Sequence, residues 1–125
     1  MRKQYHFWPA EQGFDAWDVE RLIELSVGLP IHGVAVGTIA EIDTMYWFDA
    51  SDEVPTVRKV AEHARLINEV DVNYPIILGP DGRVMDGMHR IARALLESRS
   101  EIDAVRLPAL PGPDFLSCRP SDLPY

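Results

Sequence analysis

A chain of 125 residues with 46% apolar side chains has material for one compact domain with a real core. Its formal charge of -8, from 20 acidic against 12 basic residues, argues against nucleic acid as a main partner, because affinity for a phosphate backbone comes from clustered Lys and Arg. The single cysteine, Cys118, excludes an internal disulfide and a multi-cysteine zinc site and fits a reducing compartment. No apolar run reaches the roughly eighteen residues of a membrane span, and the N-terminus lacks the basic-then-apolar order of a signal peptide, so a cytoplasmic location is expected.

Residues 1–13 are aromatic and irregular, with Tyr5, Phe7, Trp8 and Pro9 close together, and are expected to pack over the edge of the domain. A first helix is predicted over Ala16 to Val27, with Asp15 as N-cap and Gly28 and Pro30 as stop signals. The β-branched stretch that follows predicts a strand over Val34 to Val36 and a turn through Gly37 and Thr38. Asp43 to Glu53 has no period and joins Tyr46, Trp47 and Phe48 to four carboxylates, Asp43, Asp49, Asp52 and Glu53. A loop of this kind lines sites on rigid scaffolds. Two of its three aromatics are expected to cap the core, leaving Trp47 to cover or stack on a ligand ring and Asp49 to act as a base or face phosphates through a metal.

Pro55 suits the first position of a helix running to about Val70. Val57, Val60, Ala61, Ala64 and Ile67 recur at helical spacing and predict an apolar stripe lying on the core, with Arg58, Glu62, Arg65 and Glu69 as solvated ion pairs opposite. His63 borders that stripe and is a second-line site candidate. The strands Ile76 to Leu78 and Arg83 to Met85 flank a Gly79-Pro80-Asp81-Gly82 turn and predict a hairpin. After Gly87 a helix places Met88, Ile91, Ala92, Leu95 and Leu96 on one apolar face, with Arg93 four residues before Glu97 for a local ion pair. Ile102 to Leu107 alternates as a last strand. The tail from Pro108 holds five of the ten prolines and is expected to wrap the surface in extended form. The organisation is thus an N-terminal extension with one helix over 1–30, a domain over 31–107, and a Pro-rich tail over 108–125.

Asp86-Gly87-Met88-His89-Arg90 stands where the second hairpin strand gives way to the helix. The first N–H groups of a helix lack intrahelical partners and the dipole adds partial positive charge, so an anion is stabilised there. Gly87 permits close approach to the backbone, and His89 and Arg90 add donors in the first turn. Two cations at a helix start oppose its dipole, a cost that an anionic ligand reverses. Asp86 is read either as the helix cap or as a catalytic carboxylate.

The DGMHR motif resembles the nucleotide-binding signature of the ParB/sulfiredoxin-like superfamily, whose members carry Gly-Cys-His-Arg, Asp-Gly-His-His-Arg or Gly-Glu-Arg-Arg at this junction. The resemblance covers Val34 to Leu107 in element order and is nearest to the free-serine-kinase form of the motif. It implies an α+β fold with a small mixed sheet, and a phosphate chain gripped by the backbone of Gly87, Met88 and His89 and by the His89 and Arg90 side chains. Met88 occupies the position of the sulfiredoxin cysteine and cannot be a thiolate, so sulfinic acid reduction is excluded. The ParB partition proteins carry a helix-turn-helix module after this domain where this sequence has an acidic, proline-rich tail, so DNA partition by this chain alone is not expected.

Two readings follow. In one, the chain is a nucleotide-dependent phosphotransferase or nucleoside triphosphate hydrolase that uses a Mg²⁺-nucleoside triphosphate. Arg90 and His89 would then stabilise the transferred phosphoryl group, Asp86 would orient His89 or hold Mg²⁺, and Asp49 would activate the acceptor. In the other, the pocket binds a nucleotide or another small anion without turnover, and the protein acts as a sensor that meets a protein partner or a second copy of itself.

Overall fold

The computed structural model describes residues 3–48 and 54–125, which form β1 (Tyr5–Pro9), β2 (Phe14–Asp18), α1 (Val19–Ser26), β3 (His32–Ala35), α2 (Val57–Glu69), β4 (Ile76–Leu78), β5 (Val84–Asp86), α3 (Met88–Leu96), β6 (Glu101–Arg106) and β7 (Phe115–Cys118). This is a mixed α+β chain with two small sheets, ordered β1-β2-β7 and β3-β6-β4-β5. Ile76-Ile77-Leu78 is an unbroken apolar run, the pattern of a strand covered on both faces. All three residues are buried in β4, which pairs antiparallel with β5 and parallel with β6. Alternate residues divide between two cores. Ile76, Leu78, Val84 and Ala104 pack with Met88 and Ile91 of α3 on one face, and Ile77, Met85 and Val105 pack with Trp17 and Leu22 on the other.

The second core makes the N-terminal segment an integral layer. Residues 5–18, expected to be irregular and then helical, form an antiparallel hairpin in which His6 lies opposite Trp17. Alternation decides the outcome, because His6 and Trp17 face the second core while Tyr5 and Phe7 lie on the other face, half-buried with Phe14 and Phe115. The helix therefore starts three residues later than Asp15 suggests, and Asp18 caps it by accepting from Glu20 N at 3.0 Å. The proline-rich tail contributes β7 as an edge strand on β2, the position where a strand flanked by prolines is tolerated. It is pinned by Trp17 Nε1, which donates to Pro111 O at 2.8 Å, and by Asp114, which meets Arg21 at 3.0 Å.

Both long amphipathic faces differ from the expectation. In α3 the buried residues are Met88, Ile91 and Ala94, while Leu95 and Leu96 are 47% and 70% exposed. β4 and β5 have three residues each, about 10 Å at roughly 3.3 Å per residue, so the last turn of α3 extends past the surface it packs on. In α2 no residue is buried. The helix lies outside α3, and its half-buried positions are Lys59, His63 and Ile67, followed by Val70 at its C-cap. Val57 is 88% exposed and Val60 50%, so the stripe read as core-facing faces outward except at Ile67. The reason is polar: Arg93 Nη1 donates to Asn68 O at 2.8 Å and Ile67 O at 3.4 Å, closing the C-terminus of α2, and His63 meets α3 at His89. The expected Arg93–Glu97 pair is also present at 3.3 Å.

Candidate functional site

The β5–α3 junction is held by backbone that only glycine adopts without strain. Gly87 has φ 109° and ψ 22°, and a Cβ there would lie 2.6 Å from Ile76 Cγ2. Just before it, the β4–β5 register slips at Met85, so Ile77 faces Asp86 while Leu78 faces Val84. α3 then begins at Met88 with no side-chain cap and no acidic residue in its first turn, and its first backbone bond runs from Ile91 N to Gly87 O at 3.1 Å. The opening N–H groups of the helix thus point away from its own ladder. Met88 itself is a core side chain, 8% exposed, so only its backbone belongs to the junction.

Asp86 does not cap this helix and does not orient His89. Its Oδ2 lies 3.5 Å from Arg90 Nη1, which also reaches Pro75 O at 3.5 Å. Four residues separate Asp86 from Arg90 and bring them onto one side of the junction, whereas His89 is rotated about 100° away toward α2. Arg90, which the sequence left without a local partner, therefore has one, but the contact is long. Its side chain is 18% exposed, and its Nε is buried with no hydrogen-bond partner.

His89 is oriented by His63. His63 Nδ1 and His89 Nε2 are 2.9 Å apart, and Trp47 lies flat against both rings, with centroids 4.4 Å from His63 and 4.7 Å from His89. Trp47 thus stacks on protein imidazoles, where the sequence suggested a ligand ring. Burial first, then His63 and Arg90 beside it, push His89 down to about 4, so the ring is neutral near pH 7. The loop carrying Trp47 is tied down at its base: Glu41 Oε2 accepts from Val84 N at 2.7 Å, covering the edge of β5, and the Tyr46 hydroxyl lies 3.4 Å from His6 Nδ1. Burial raises the Tyr46 phenol above its ordinary range. Asp49, expected as the base, lies outside the described residues, and among those described no group of three His, Cys, Asp or Glu could hold a metal ion.

No family model, curated protein or solved structure matches this chain. The geometry alone therefore carries the functional argument. It brings together Gly87, His89, Arg90, Asp86, His63 and Trp47. No described helix is long and apolar enough to cross a membrane. The His63–His89 contact was not legible beforehand, since His63 looked like a border residue. A signal existed in that a second histidine stood on the neighbouring helix, but only the seating of α2 on α3 makes it a partner.

Burial also pushes His6 down to about 4. For both His6 and His89 the folded value lies below the ordinary 6.5, so the unfolded chain takes up these protons first as pH falls. Their contribution to stability is complete above about pH 6.5 and is lost between there and about pH 4. Urea midpoints measured across this range are expected to fall with acid, and His6→Phe to flatten part of the slope. A wild-type midpoint that does not move would show that neither imidazole is held neutral.

Proposed function

We propose that the β5–α3 junction binds the phosphate chain of a nucleotide, in a domain of the ParB/sulfiredoxin-like kind. The observation that carries this reading is Arg90. Its guanidinium has five N–H donors, yet its contacts to Asp86 and Pro75 both lie at 3.5 Å and its Nε is buried unpaired. A buried donor without a partner is costly, and a phosphate oxygen beside an uncapped helix start would satisfy it together with the backbone N–H groups after Gly87. Mg²⁺ would arrive with the triphosphate, since its usual protein ligands are one or two carboxylates beside substrate phosphates.

A specific observation favours turnover over storage of the ligand. His89 is held neutral beside Arg90 and lies 2.9 Å from His63, so the pair can hydrogen-bond and orient an acceptor hydroxyl or water. A phosphotransferase or nucleoside triphosphate hydrolase would use it to orient an acceptor hydroxyl or water, with Arg90 stabilising charge on the phosphoryl group.

Calorimetric titration with ATP, CTP, GTP, ADP, AMP and pyrophosphate, each with and without Mg²⁺, tests both parts. One triphosphate is expected to bind, and Arg90→Ala to weaken it about 10–150-fold, the worth of a charged hydrogen bond. Equal affinity in the variant, or no phosphate ligand bound by the wild type at millimolar concentration, would sink the assignment. Binding with no product released from any acceptor would instead select the sensor reading.

A further inference from the structure

The outward face of α2 has a pattern left exposed among the described residues. Val57, Ala61 and Ala64 form an apolar seam there, bordered by Val60, and Val57 and Ala61 lie in an open surface patch with Arg58, Glu62 and Arg65. At about 100° per residue, Arg58, Glu62, Arg65 and Glu69 all fall in one row along a single side of this seam. All four are exposed, and among the described residues none of them is in an ion pair. The row reads plus, minus, plus, minus. Reversed, it reads minus, plus, minus, plus. A second copy of the same helix, laid antiparallel across a two-fold axis near the helix centre, would set Arg58 opposite Glu69 and Glu62 opposite Arg65, each twice.

We propose that α2 is a self-association surface, pairing antiparallel with α2 of a second copy of this chain. Two-fold pairing requires a self-complementary patch, and a charge row that is its own complement on reversal meets that requirement. A parallel two-fold arrangement would put the two rows on opposite sides of the seam, where they do not meet. Ala61 and Ala64 fall near the axis, where small side chains let two helices approach closely, and Val57 closes each end of the seam. His63 lies on the opposite side of the helix from Ala61, about 200° round, so pairing leaves the Trp47–His63–His89 cluster uncovered and places two such sites back to back.

Sedimentation equilibrium of the full chain from about 1 µM to about 1 mM is expected to show mass rising from one chain to two. The double variant Arg58→Glu with Arg65→Glu makes the row wholly acidic, and Glu62→Arg with Glu69→Arg makes it wholly basic. Each is expected to lose association by about tenfold or more, because like charges then face each other across the axis. Mixing the two variants is expected to restore a 1:1 pair. All four positions are solvent-exposed, and unchanged circular dichroism and thermal midpoints will show that the monomer fold is intact. Wild type that stays a single chain throughout, variants that associate as wild type does, or a mixture that does not pair would each overturn the proposal. The first of these outcomes would leave the seam to a different protein.

Discussion

Gly87→Ala is expected to cost about 2–5 kcal/mol of folding stability. The φ of 109° is a conformation L side chains rarely adopt, and the left-handed region costs a non-glycine residue about 1–2 kcal/mol. The added Cβ would also stand 2.6 Å from Ile76 Cγ2 and 3.0 Å from Ile76 Cβ. Ile76 is fully buried in the centre of the first core, so it has no free space to move into, and overpacking of this kind adds about 1–3 kcal/mol. Urea unfolding measures the sum. A loss below about 1 kcal/mol would mean that the junction relaxes to an ordinary backbone conformation, and the proposed phosphate cradle would go with it.

Ile91→Ala is expected to lower stability by about 2–5 kcal/mol, through lost burial and the cavity left behind. Ile91 is 0% exposed and packs among Ile39, Ile76, Leu78, Val84, Met88 and Ala104. Leu95→Ala is the paired control. Leu95 is 47% exposed, so its truncation removes little buried surface and is expected to stay within about 1 kcal/mol of wild type. From periodicity alone both leucine and isoleucine belong to the apolar face of α3. Equal losses from the two variants would restore that simpler face and contradict the observed seating of the helix.

The hairpin of β4 and β5, the glycine junction and the start of α3 were legible because each rests on neighbours in sequence. An apolar run, a Gly79-to-Gly82 turn and a DGMHR motif at a strand end are local signals, and the structure places them as read. Boundaries near caps were close: α2 begins at Val57 after Thr56, which accepts from Lys59 N at 3.2 Å, two residues beyond Pro55. The N-terminal hairpin was missed because Trp17, Leu22, Ile23 and Leu25 fit a helical spacing as well as a strand followed by a helix. What decides between them is the pairing of β2 with β1 and with β7, whose residues lie about a hundred positions away.

The candidate site divides in the same way. Gly87, His89 and Arg90 could be named from the junction alone, because a helix start and its dipole are consequences of the backbone. Their partners could not be. Asp86 was read as a cap or as the residue orienting His89, but the angular step of the helix gives it to Arg90. His63 and Trp47 become part of the site only because α2 and the preceding loop fold back over α3.

By itself, then, the sequence determined the elements of the second half of the chain, the left-handed glycine at the junction and the Arg90 cation after it, whereas His89, expected as a second cation, is held neutral by burial. The tertiary structure decided which faces are inside. Periodicity shows that a helix has an apolar stripe, but not which neighbour covers it. In α2 the polar contacts with Arg93 and His89 hold the other side of the helix against α3, and the stripe is left outward because an exposed valine costs little.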